Sequence, residues 1–108
     1  MRLYHNPRCS KSRQAVALLE QKGIEFQDYR YLDKGIFPED MSILVELADV
    51  IRISDISDRS EYNLGNKSEI HRLLQAEPKA LQRPILIHNG KAVIGRPPEK
   101  ILTLLHEF

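Results

Sequence analysis

The chain has 108 residues, 42% of them hydrophobic and 29% charged, with a formal net charge of +1. That length suits one domain with a real core. A charge so near zero gives no global pull toward nucleic acid or an acidic membrane, no apolar run approaches the ~20 residues that span a bilayer, and a single cysteine excludes an intrachain disulfide. No secretory signal pattern precedes the first strand pattern, so a reducing cytoplasm is the expected setting. No internal repeat, low-complexity tract or linker stands out.

Leu3 to His5 reads as a short strand, followed by the turn Asn6-Pro7. Ser10 to Lys22 has helical periodicity, with Ala15, Leu18 and Leu19 on one face and Gly23 as the closing residue. Phe26 to Tyr31 is aromatic and extended, a second strand expected to lie parallel to the first through a right-handed crossover. Pro38, Glu39 and Asp40 mark a helix first turn, with Met41, Leu44, Val45 and Ala48 as its apolar stripe. Residues 49–66 carry no clear pattern. Ser68-Glu69 opens another helix that turns Ile70, Leu73 and Leu74 inward and stops before Pro78. Pro84 to His88 and Lys91 to Ile94 flank Asn89-Gly90, the pairing that favours a type I′ hairpin. The loop Gly95-Arg96-Pro97-Pro98 leads to a last helix, Glu99 to His106, with Ile101, Leu102 and Leu105 as core candidates.

The order is βαβ, a helical insertion at about residues 35–80, then ββα. It predicts an α/β domain over residues 1–108: a mixed sheet flanked by helices, in the thioredoxin-like arrangement.

Cys9 is the most informative residue. It sits between a proline turn and a helix start, where unpaired N–H groups and the helix dipole favour an anion. Arg8, Lys11 and Arg13 are close in sequence. A thiol in such a setting ionises readily, and the thiolate is the reactive form. The same helix end suits a small oxyanion. The spacing Cys9-x-x-Ser12 lacks the second thiol of a dithiol oxidoreductase, so any redox cycle must borrow a thiol from another molecule. Arg83 and Arg96 bracket the hairpin, and arginine's planar fork binds a tetrahedral oxyanion through paired, charge-assisted bonds. His5, four residues before Cys9, can approach it across the turn, and a protonated ring there would lower the thiol pKa. Arg59 stands among Asp55, Asp58 and Glu61, so a surface ion pair explains it as well as a site role does; Arg52 is its weaker rival. His71, His88 and His106 show no ligand spacing, and no metal site is expected. No glycine loop for phosphates is present, so no bound nucleotide cofactor is expected.

The string Tyr4-His5-Asn6-Pro7-x-Cys9-x-x-Ser12-Arg13, with the later Arg83-Pro84-Ile85 and Gly95-Arg96-Pro97-Pro98-Glu99, resembles the site segments of the glutaredoxin-dependent arsenate reductase family, most closely its short bacterial branch. The resemblance covers nearly the whole chain. It implies a thioredoxin-like fold with a helical insertion, and reduction of arsenate to arsenite in arsenic detoxification. It implies that Cys9 attacks arsenic to form a thiol–arsenate intermediate, which glutathione as co-substrate and glutaredoxin resolve. Arg83 and Arg96 match the arginines that hold the oxyanion, and Arg59 is the nearest match for a third. His5 matches a histidine that keeps the thiol ionised. Ser12 and Arg13 match helix-start residues beside the thiol, with Arg13 counted among the substrate-binding groups. Pro84 matches the cis proline that faces the cysteine.

The expected partners are arsenate or a similar oxyanion, glutathione and glutaredoxin, with no nucleic acid and no membrane, and the chain is expected to act as a monomer. Two other readings stand beside it: a monothiol oxidoreductase acting on glutathione mixed disulfides, and a non-enzymatic regulator that binds RNA polymerase.

Overall fold

The structure is a computed structural model and describes residues 1–107. Two compact units make up the chain: one joins Met1–Arg30 with the stretch from Arg83 onward, and the other spans Tyr31–Gln82.

In the first unit, β1 (Arg2–Tyr4), β2 (Gln27–Tyr29), β3 (Ile85–His88) and β4 (Lys91–Ile94) form one mixed sheet in the order β2-β1-β3-β4. β1 runs parallel to β2 and antiparallel to β3, and β3 runs antiparallel to β4. The expected mixed thioredoxin-like sheet is therefore present. β1 has the expected three residues, shifted by one toward Arg2, while β2 is shorter than the sequence suggests. The three β1 residues pair with Gln27, Asp28 and Tyr29, and a partner strand cannot extend beyond the ladder that holds it. Phe26 and Tyr31 fall outside β2 for that reason.

Helix α1 (Ser10–Gln21) follows β1, buries Ala15 and Leu19, and ends where Gly23 takes φ +66°. The hairpin turn has Asn89 at φ +52° and Gly90 at φ +74°, the two positive values a type I′ turn requires. The chain then closes with a 3-10 helix, Pro98–Glu107, in place of the expected α-helix. A three-residue period moves the buried pair to Ile101 and Leu104, with Leu102 and Leu105 only partly covered. Leu3, Ala15, Leu19, Leu86, Ile101 and Leu104 form the core of this unit. The side chain of His106 lies outside the described residues.

The second unit is built from short pieces. α2 (Tyr31–Lys34) starts where an extended strand end was expected. A 3-10 turn, Pro38–Asp40, leads into α3 (Met41–Leu44), which stops well before the expected Ala48. Ala48 is exposed and Asp49 reverses the backbone at φ +59°. Further 3-10 turns span Ile53–Asp55, Arg59–Glu61 and Pro78–Ala80. α4 (Lys67–Ala76) is capped by Asn66, whose Oδ1 accepts the Ser68 N–H at 2.9 Å, and it buries Leu73 and Leu74. Among the described residues no helix is long and apolar enough to cross a membrane.

Candidate active site

The site grows from the turn between β1 and α1. His5 donates its backbone N–H to Tyr29 O at 2.9 Å, the last bond of the parallel ladder. Asn6 then folds the chain: its carbonyl accepts the Cys9 N–H at 3.0 Å, and its side-chain Oδ1 accepts the Arg8 N–H at 3.0 Å. Cys9 becomes the N-cap residue of α1, with extended backbone and no side-chain cap. Its half-buried sulfur therefore stands over the first helical N–H groups instead of being embedded in the core.

Burial alone would push the Cys9 thiol up. The N–H groups of Ser12 and Lys11, and the guanidinium groups of Arg96 and Arg83, outweigh it and hold the thiol below its ordinary value. Arg96 Nη1 lies 4.0 Å from Cys9 Sγ. The same nitrogen donates to the Arg83 carbonyl at 2.9 Å, which fixes the guanidinium over the thiol. The Arg83-Pro84 and Arg96-Pro97 peptide bonds are both cis. Gly95 N–H closes the ends of the hairpin on Pro84 O at 2.8 Å. Thus the structure brings Cys9, Arg83 and Arg96 together from three segments of the chain.

Ser12 is fully buried beneath the turn. Its Oγ accepts the Asn6 N–H at 3.0 Å and lies 2.7 Å from His5 Nδ1. His5 thus bonds to Ser12 and is not among the groups that stabilise the thiolate. Its pKa is lowered, chiefly by burial, with Asp28 opposing and Arg30 and Arg13 adding to the effect. That corrects the expectation of a protonated ring activating Cys9: burial favours the neutral imidazole, and its Nδ1 is hydrogen-bonded to the Ser12 hydroxyl. The helix N–H groups and the two arginines supply the activation instead. Arg13 Nη1 donates to Pro7 O at 2.9 Å, so this side chain clasps the turn from its exposed side.

Arg59 lies in the second unit, exposed on its own 3-10 turn. Two of its acidic neighbours are otherwise engaged: Asp58 Oδ1 accepts the Ser60 N–H at 3.0 Å, and Asp55 pairs with Arg52 at 3.3 Å. That leaves Arg52, the rival, in an ion pair, while no hydrogen bond or ion pair holds the Arg59 guanidinium among the described residues.

Sequence reasoning passed over two contributors. Asn6 is buried and organises the turn, a role that an asparagine before proline signals. Gly95 makes the close approach to Pro84, and its only sequence signal is a glycine directly after a strand and before Arg96-Pro97.

The model of the ArsC family matches residues 4–104. The chain is 37% identical to the uncharacterized protein YfgD of Escherichia coli, with 97% of this chain and 96% of that protein covered. It is 35% identical to an arsenate reductase of Neisseria meningitidis, covering 97% of each. A solved arsenate reductase from Vibrio cholerae superposes with a TM-score of 0.76 at 35% identity, covering 95% of this chain and 97% of that one. The family match runs from the last residue of β1 through the Cys9 turn and both arginine-proline segments, and these relatives align over almost their whole length: the chain belongs to the ArsC family.

Proposed function

We propose that this protein is a glutaredoxin-dependent arsenate reductase with Cys9 as its nucleophile. The observation that carries the reading is a half-buried thiol, held below its ordinary pKa, that faces two guanidinium groups at the N-terminus of α1. Membership of the ArsC family and the arsenate reductases among its relatives support the substrate.

In this reading Arg83 and Arg96 hold the arsenate oxygens. The Cys9 thiolate attacks arsenic, and one arsenate oxygen leaves as water after taking up a proton. Arsenic remains pentavalent in this thiol–arsenate intermediate. The glutathione thiol displaces a second oxygen as water. The glutaredoxin thiolate then attacks the glutathione sulfur, and the electron pair of the broken sulfur–arsenic bond stays on arsenic. A glutaredoxin–glutathione mixed disulfide leaves, and arsenic is now trivalent. Water releases arsenite and restores Cys9. The external thiols are required because Ser12 stands where a resolving cysteine would be and is itself buried under the turn. Such a cycle belongs in the reducing cytoplasm.

The test is arsenate-dependent NADPH oxidation with glutathione, glutaredoxin and glutathione reductase. Turnover should vanish in Cys9→Ser and on omission of glutaredoxin. Arg96→Ala should collapse it while sparing turnover of a small glutathione mixed disulfide. Mixed-disulfide turnover without any arsenate turnover would replace the proposal with a monothiol oxidoreductase.

A further inference from the structure

We propose that Gly95 is a positioning residue of the active site, and that its missing side chain is what lets the Arg83-Pro84 and Gly95-Arg96 segments close over Cys9. Two bonds tie these segments: Gly95 N–H to Pro84 O at 2.8 Å, and Arg96 Nη1 to Arg83 O at 2.9 Å. A Cβ on Gly95 would lie 2.8 Å from Pro84 Cγ and 2.9 Å from Ile101 Cγ2. Real side chains do not sit that close, so something must shift. Pro84 cannot yield by rotation, because its ring is bonded to its own backbone. Ile101 is fully buried in the core and has little room to move. The easiest relief is separation of the two segments. It lengthens both bonds and draws the Arg96 and Arg83 guanidinium groups away from the thiol they stabilise.

The hydrogen bond of Gly95 goes to Pro84 O and its close approaches are to Pro84 and Ile101, so its effect on the thiol passes through the two arginines. The inference rests on the proposed function only for its consequence in turnover; its first readout needs no substrate. Cys9 alkylation is followed against pH in the wild-type protein and in Gly95→Ala. The variant's midpoint should rise by roughly one pH unit, the scale of a weakened opposite-charge contact, while the far-ultraviolet circular dichroism stays native. Its KM for arsenate should rise several-fold, because the same two guanidinium groups bind the oxyanion. A folded Gly95→Ala protein with the wild-type alkylation profile would overturn the inference.

Should Gly95→Ala fail to fold, Gly95→Ala/Ile101→Ala removes the second collision and lets the new methyl group fill part of the space left. The contact with Pro84 remains, so the raised midpoint should persist, and a wild-type midpoint in this double variant overturns the inference equally. Absence of arsenate turnover in the wild-type protein, with the alkylation shift still present, would count against the proposed function and leave the role of Gly95 standing.

Discussion

Burial and hydrogen bonding pull the Cys9 thiol in opposite directions, and hydrogen bonding wins. Burial is the largest single influence and raises the pKa; two helical N–H groups and two guanidinium groups together reverse it. Removing Arg96 should therefore raise the midpoint of Cys9 alkylation, and the pH profile of Arg96→Ala measures it directly. Ser12 has a different part. Its hydroxyl is the buried partner of both the Asn6 N–H and His5 Nδ1. Ser12→Ala strands these groups without water and should cost about 1–3 kcal/mol in denaturant unfolding. Burial should keep the His5 ring largely neutral near pH 7, as nitrogen chemical shifts of the ring would show. The setting of Cys9 at a helix start was legible because its cue is local: a proline turn, a helix start and neighbouring cations. The role of His5 was not legible, because spacing along the chain does not say whether a ring turns toward the thiol or toward Ser12.

Among the elements, those specified by adjacent residues were the readable ones. Alternating apolar residues around Asn89-Gly90 announced the hairpin, and Gly23 announced the end of α1. Gly90→Ala should weaken the hairpin by about 1 kcal/mol, since φ +74° is strained for a residue with a Cβ, and thermal unfolding would register it. Residues 49–66 were unreadable for a physical reason. Their 3-10 turns are held by partners far along the chain. Glu77 accepts the Ser57 N–H at 2.9 Å and the Tyr62 hydroxyl at 3.1 Å, and Arg52 N–H reaches Ala80 O at 2.7 Å. The last helix misled in another way. Its apolar residues fit an α-helical face, but the 3-10 winding selects Ile101 and Leu104 for the core. The contact of Gly95 with Pro84 escaped notice for the same reason as the 49–66 turns: both are tertiary approaches, invisible to periodicity.

For the whole molecule, the site couples ionisation to folding. His5 has a folded pKa below its unfolded value, so the unfolded chain takes up the proton first on acidification. Stability should therefore decline as the pH falls below the ordinary histidine value of about 6.5, until the folded pKa is reached. Cys9 is also depressed: its contribution is complete above the unfolded thiol pKa and is lost as the pH falls through the folded value. Unfolding free energies across pH 4 to 10, on the wild-type protein and Cys9→Ser, would separate the two windows. The βαβ and ββ segments meet in one sheet, and that meeting carries Arg83 and Arg96 to Cys9 from more than seventy residues away in sequence; the Arg96 bond spans 87 positions. The most direct measurement is the rate of Cys9 alkylation against pH, with and without arsenate. A midpoint below that of a free thiol, with arsenate slowing the reaction in the wild-type protein and not in Arg96→Ala, is the result expected. A midpoint at the free-thiol value with no protection by arsenate would contradict both the activated thiol and the oxyanion site.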